Sequence, residues 1–256
     1  TCNANGVEIA EGMSALVERY ATVQADDVIV ASTGVIGQPM SLEPFTNGTE
    51  GLVKALAATP AGGTDAAKAI MTTDTVVKEA AVSFTLGGKA CVLGGMSKGS
   101  GMICPNMATM LCFLTTDAAI SADVLQSALS AVVCDTFNML SIDGDTSTND
   151  MVCVLANGMA GNAPLTAAMG DEYDTFAAAL HAVCQRLCQM MAKDGEGATK
   201  LVTCQVSGGK TVDAAKAVAK SVIKSTLLKA ALFGADANWG RVPNSVVLHR
   251  INSSQK

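Results

Sequence analysis

Histidine is scarce in this chain: 256 residues hold two, His181 and His249. A Ser-His-Asp or Cys-His relay needs an imidazole placed to take a proton. His181 falls inside a predicted helix beside Leu180 and reads as structural. His249 lies in the closing stretch of the chain. Acyl-transfer or hydrolytic chemistry here must therefore find another base. Aromatic residues make up 4% and charged residues 16%, with 17 Lys+Arg against 23 Asp+Glu and a net charge of −6. That balance argues against a general electrostatic grip on nucleic acid or on an anionic membrane. No apolar run reaches 18 residues, so no transmembrane helix is expected. The opening residues, Thr1-Cys2-Asn3-Ala4-Asn5-Gly6, have neither the charged start nor the apolar stretch of a signal peptide.

Apolar residues and cysteine are plentiful. Hydrophobic residues reach 49%, too many for a disordered chain, and the length allows one or two domains with a real core. The nine cysteines are odd in number, and most sit in apolar runs such as Met110-Leu111-Cys112-Phe113 and Met151-Val152-Cys153-Val154. Free buried cysteine behaves as a small hydrophobe, so a reduced, cytoplasmic protein is expected rather than a disulfide scaffold. Cys184 and Cys188 are close, at i,i+4, but no second pair faces them, and no metal site is expected.

Periodicity predicts a helix over 7–20, with Ile9, Met13, Leu16, Val17 and Tyr20 on one face. Residues 27–31 read as a buried strand that runs into a turn at 32–37. Helices are predicted over 49–57 and 64–71. Strands over 81–86 and 89–93 flank Gly87-Gly88, a hairpin signal. A glycine-rich stretch, 94–101, precedes an apolar strand over 107–116. Ser121 reads as the N-cap of the next helix. A strand over 151–156, a long helix over 171–192, a strand over 200–206 and a helix from Asp213 to about Leu228 complete the order. Interleaved helices and strands predict a mixed α/β fold with helix-covered sheet layers.

Three motifs invite chemistry and fall short. Gly208-Gly209-Lys210-Thr211 follows a predicted strand and precedes a helix, as a phosphate loop does, but the position of the loop's first glycine is Cys204. Gly99-Ser100-Gly101 lacks the third glycine of a dinucleotide fingerprint. The run Asp143 to Asp150 looks like a cation loop, yet Thr148 and Val154 stand where a calcium loop has Gly and Glu. So dense a set of short hydrogen-bonding side chains could instead brace a site through a polar network.

One chemistry needs no histidine. A threonine at a newly made N-terminus can use its own α-amine as base, because that amine titrates near neutrality. Thr109 follows the small Ala108, has Gly99, Gly101 and Pro105 upstream, and leads into an apolar strand. Read from the residues alone, a threonine in such a place is usually just a strand residue.

The segment KGSGMICPNMATML at 98–111 closely resembles the self-processing segment of the ornithine acetyltransferase (glutamate N-acetyltransferase) family of arginine biosynthesis. So do ASTGVIG at 31–37, IMTTDT at 70–75, SIDGDTSTND at 141–150, KDGEGATK at 193–200 and ALFGADANWGRV at 231–242. The motifs stand in family order over residues 1–242. The resemblance implies an α/β fold, the ArgJ/DmpA-like layered sandwich of β-sheets and helices. It also implies self-cleavage between Ala108 and Thr109. Residues 1–108 would then be the α-chain part and 109–242 the β-chain part, with 243–256 outside the family pattern. Against the family, the chain reads as a fragment lacking both family termini.

By the same resemblance Thr109 is the nucleophile and also a substrate contact. It would take the acetyl group of N2-acetyl-L-ornithine and pass it to L-glutamate. Thr33 and Gly34 match the oxyanion-stabilising pair. Thr75, Lys98 and Glu196 match substrate-binding positions. A lysine suits an amino-acid carboxylate, and a glutamate suits an ammonium. The family needs no cofactor and no metal. Some members also accept acetyl-CoA as donor, and no single motif separates the two activities. Its α and β chains stay associated, usually as a heterotetramer. A self-processing threonine amidohydrolase or aminopeptidase, an inert fragment, and a non-catalytic nucleotide-binding module on Gly209-Lys210-Thr211 remain as alternatives.

Overall fold

The computed structural model describes residues 4–104 and 110–246. It divides into two compact units, Thr1–Ala69 and Ile70–Lys256.

The first unit is helical among its described residues: α1 (Gly6–Tyr20), α2 (Glu43–Ala55) and α3 (Pro60–Ala69). Helix α1 packs on α2. A methyl group at Gly12 would come within 2.7 Å of the Leu42 side chain, so glycine permits the close approach there. The predicted strand at 27–31 is not one. Residues 25–27 form a single 3₁₀ turn, and Val28 continues in extended conformation. A strand exists only through a ladder partner, and the extended backbone pairs with no strand among the described residues. The predicted turn follows, with Gly37 at φ +82° and Gln38 N–H donating to the Val35 carbonyl at 3.3 Å.

The second unit is built on a four-stranded mixed sheet in the order β1 (Lys78–Leu86), β2 (Lys89–Lys98), β3 (Leu111–Thr116), β4 (Met151–Ala156). Gly87 and Gly88, at φ +54° and +76°, close the β1–β2 hairpin, as a two-residue turn with both central residues left-handed requires. β2 and β3 are antiparallel, with Lys98 opposite Leu111, and β3 and β4 run parallel, with Leu111 opposite Met151. The parallel pair needs a crossover, which α4 (Ala122–Asp135) provides. Ser121 occupies its N-cap position as predicted, although its hydroxyl makes no capping bond.

The long helix α5 (Asp171–Lys193) packs on β1 and β2 and against α4. Its buried stripe holds Phe176, Leu180, Val183 and Leu187 together with Cys184, Cys188 and Met191. Along β1, Ala80, Val82, Phe84 and Leu86 face this helix layer, while Glu79, Ala81, Ser83 and Thr85 are exposed. Phe84 and Phe176 meet edge to face at 6.0 Å. Cys91, Cys112, Cys184 and Cys188 lie free within the core.

The chain continues into α6 (Val212–Lys224) and α7 (Thr226–Phe233). Two expectations fail here. The cap of α6 is Thr211, whose hydroxyl accepts from Ala214 N–H at 3.1 Å, and Ser225 breaks the predicted single helix by capping a second one. Residues 200–206 form no strand. Lys200 reaches instead to the carbonyls of Leu232 and Phe233, which ties this segment to the end of α7.

The topology collects four strand ends at one end of the sheet. β1 begins at Lys78, β2 finishes at Lys98, β3 begins just after Met110, and β4 begins just after Asp150.

Candidate active site

Thr75, Lys98 and Glu196 all belong to that end of the second unit. Lys98 is 4% exposed at the last position of β2. Burial pushes its ammonium down from the ordinary lysine value. Asp74 opposes that, Lys78 adds to it, and Glu196 and Asp150 also favour the charge. Lys98 is thus a desolvated cation with Asp74, Glu196 and Asp150 around it.

Lys98 is held in place by a cluster that sequence reasoning missed. Lys78 is fully buried, and its ammonium meets Asp74 at 2.5 Å and Asp194 at 2.6 Å. Asp74 also accepts the Gly99 N–H at 2.7 Å and the Thr72 N–H at 3.1 Å. Burial raises the Asp74 carboxyl, but the Gly99 N–H, the Lys78 ammonium and the Thr72 N–H together hold it below the usual carboxylate range. Asp194, at the C-cap of α5, accepts the Thr75 N–H at 3.0 Å and the Thr75 hydroxyl. Burial raises its carboxyl too, and Lys78 and Thr75 outweigh it, so it also sits low. Thr75 is therefore oriented by the end of the longest helix.

Glu196 follows two residues later. Its N–H donates to the Ser100 carbonyl at 2.7 Å, and the Ser100 and Thr73 hydroxyls bond each other at 2.8 Å. Its carboxylate lies against Gly101, where an added methyl would come within 2.5 Å of Oε1 and would have to displace it. On its other side a cavity of about 480 Å³ opens between Leu140, Ile142, Leu201, Val202 and Phe233.

In the run from Asp143 to Asp150 the side chains hold backbone groups. Asp143 accepts the Met102 N–H at 2.5 Å and the Ile103 N–H at 3.0 Å, and Thr146 donates to the Cys104 carbonyl at 3.1 Å. Met102 stands at φ +53°, a left-handed conformation that costs a side-chain-bearing residue roughly 1–2 kcal/mol. Asp150 accepts the Met110 N–H at 2.5 Å, and the Met110 carbonyl accepts from Met151 N–H at 2.9 Å. Burial raises the Asp150 carboxyl to about 6 against the opposing pull of the Met110 N–H and Lys98.

Ala108 and Thr109, the expected cleavage pair, lie outside the described residues. Thr33 and Gly34 belong to the first unit, in the irregular stretch before the turn at Gly37. Thr33 is half-buried and Gly34 exposed.

The comparison with known families is decisive. The model of the ArgJ family matches residues 1–254. The chain belongs to the ArgJ family. An arginine biosynthesis bifunctional protein ArgJ from Symbiobacterium thermophilum is 50% identical over 237 residues, covering 93% of this chain and 58% of that protein. One from Geobacillus stearothermophilus is 46% identical over 243 residues, covering 95% and 58%. Among solved structures, the arginine biosynthesis bifunctional protein argJ of Bacillus halodurans matches with a TM-score of 0.51 at 45% identity, covering 54% of this chain and 64% of that one. The chain thus spans 58% of the length of these curated ArgJ relatives. The ArgJ match agrees with the α/β class seen here, a mixed sheet packed by helices.

The charged partners missed from sequence had one legible signal. Lys78 shares the inward parity of Ala80, Val82, Phe84 and Leu86, so an alternating strand carries a charge on its apolar phase. A buried lysine needs carboxylates, and Asp74 stands four residues before it.

Proposed function

We propose that the chain cuts itself between Ala108 and Thr109 and that the Thr109 hydroxyl then carries an acetyl group from N2-acetyl-L-ornithine to L-glutamate, in L-arginine biosynthesis. The observation that carries this reading is the gathering of Lys98, Glu196 and the Thr75–Asp194 pair at the sheet end where β3 begins. Membership of the ArgJ family supports it.

Processing begins when Thr109 Oγ attacks the Ala108 carbonyl carbon. The hydroxyl proton passes to the departing amide nitrogen, leaving an ester and a free α-amine. Water then hydrolyses the ester to the Ala108 carboxylate and the Thr109 hydroxyl. In turnover the freed α-amine takes the Thr109 proton as Oγ attacks the acetyl carbonyl. Thr33 and Gly34 serve as donors to the oxyanion that forms. The C–N bond breaks, ornithine leaves with the proton, and acetyl-threonine remains. The glutamate amine attacks that ester, giving N-acetylglutamate and restoring the hydroxyl. Lys98 holds the substrate carboxylate, Glu196 faces an ammonium, and Thr75 completes the pocket.

No cofactor or metal takes part in this exchange, and acetyl-CoA serves as an additional donor in the bifunctional form. The cleaved α and β parts stay together and assemble as a heterotetramer in the cytoplasm. Among the described residues no helix is long and apolar enough to cross a membrane.

Intact-mass spectrometry with N-terminal sequencing tests the reading. Two pieces are expected, the second starting Thr109-Met110-Leu111. Thr109→Ala should give one uncut chain without acetyl transfer, and a cut that persists in this variant overturns the mechanism. Acetate released in place of N-acetylglutamate, with glutamate present, would instead identify a hydrolase.

A further inference from the structure

Outside the substrate contacts, the run 143–150 makes an unusual set of bonds. It touches the backbone on both sides of residues 105–109. Before them, Asp143 takes the N–H groups of Met102 and Ile103 on separate oxygens. Thr146 caps the Cys104 carbonyl, and Ile142 N–H donates to the Ile103 carbonyl at 2.6 Å. After them, Met110 is held at both its backbone polar groups, its N–H by Asp150 and its carbonyl by Met151. Asp150 Oδ2 is buried and has no partner among the described residues, so this side chain makes no alternative bond that would explain its placement.

We propose that Asp143 and Asp150 are positioning residues for self-cleavage: they fix the two backbone anchors between which the Ala108–Thr109 bond lies. The inference rests on the processing reading above. Hydroxyl attack on the preceding carbonyl requires the reacting atoms to be held near contact in one orientation, and small misplacements cost much of the rate. A span with both ends held samples far fewer conformers than a free loop of the same length. Two further features fit. Met102 keeps its left-handed conformation while Asp143 holds its amide. The Asp150 anchor, at Met110, is the next residue in sequence after Thr109. Neither carboxylate needs to touch the reacting atoms.

The test follows conversion of intact chain to two pieces by mass spectrometry after a short pulse of expression, with the folded fraction measured by circular dichroism. Asp150→Ala and Asp143→Ala should slow cutting of the folded chain by about 10–100-fold, the effect of losing a charge-assisted hydrogen bond. Asp150→Asn keeps a carbonyl oxygen for the Met110 N–H and should restore cutting to within about threefold of the unaltered chain. A merely structural role would lower thermal stability in the alanine variants and leave the cutting rate of the folded fraction unchanged. That result overturns the proposal, as does an asparagine variant that folds and cuts as slowly as the alanine variant. Where an alanine variant does not fold, the asparagine comparison decides by the same criterion. An unaltered chain that never cuts counts against the processing reading, whereas cutting unaffected by these substitutions counts only against the anchors.

Discussion

A lysine with no exposed surface, such as Lys78, needs partners in place of the water it has lost. Asp74 and Asp194 supply them from two different segments, and the same two carboxylates orient Gly99 and Thr75. Lys78→Met should therefore destabilise the second unit by about 3–5 kcal/mol near neutral pH, since it leaves two buried carboxylates without their cation. The pH dependence has a definite sign. In the unaltered chain both carboxyls sit below their unfolded values, so their stabilisation is present above the ordinary carboxylate range and is lost as pH falls through their folded values. Without Lys78 both carboxyls lose one of the groups that hold them low, so their values should rise and protonation should come at higher pH. The deficit of the variant should shrink between pH 7 and about pH 4.5. Denaturant titrations at the two pH values measure it, and a constant deficit would contradict the assignment. At this scale the density of short polar side chains marked the 143–150 run, whereas Lys98 and Glu196 stood out only through the family resemblance, since by type they pass as a loop lysine and a turn glutamate. The sequence concealed Asp194, because an aspartate at a helix end looks the same whether it is solvated or bound to a lysine more than a hundred residues away, and it offered Asp74 only through its spacing from Lys78.

Among the elements, the strands whose period and turns were both strong came out closest to prediction. β4 spans the six residues expected, and Gly87-Gly88 closes the hairpin as read. The apolar stretches at 27–31 and 200–206 carried the same composition and made no strand. Pairing is a property of two segments, and each of these stretches shows only one. Helix ends were legible where a cap and a period coincided, as at Ser121. They were misplaced where Ser225 interrupts an apolar period without disturbing it. Two glycines of the β1–β2 ribbon separate two kinds of constraint. A methyl group at Gly95 would lie 2.8 Å from the Phe113 carbonyl oxygen and 2.3 Å from the Leu114 side chain, whereas at Gly88 it meets nothing within 4 Å and suffers only the positive φ. Gly95→Ala should cost about 2–3 kcal/mol by forcing β2 from β3. Gly88→Ala should cost about 1 kcal/mol of backbone strain. Equilibrium unfolding of both variants checks the order, and a larger loss at Gly88 would refute it.

At the scale of the whole chain, the acidic balance and the lack of histidine narrowed the chemistry before any fold was in view. The mixed class was legible from the alternation of elements. The division after Ala69 was not, because no proline-rich, glycine-rich or charged linker marks it. The strand order carries one more consequence. β1 and β2 precede residue 108, while β3 and β4 follow it, and β2 and β3 are adjacent over six paired positions. A cut at Ala108–Thr109 leaves every ladder bond intact, yet it changes what the two pieces can do once separated by denaturant. Their recovery becomes an encounter between two solutes, with a rate that rises with concentration. The uncut Thr109→Ala chain should instead regain its sheet at a rate indifferent to dilution. Refolding followed by circular dichroism over a tenfold range of concentration separates the two behaviours. On that reading the processed molecule is assembled only once, at a moment when its two halves are still one thread.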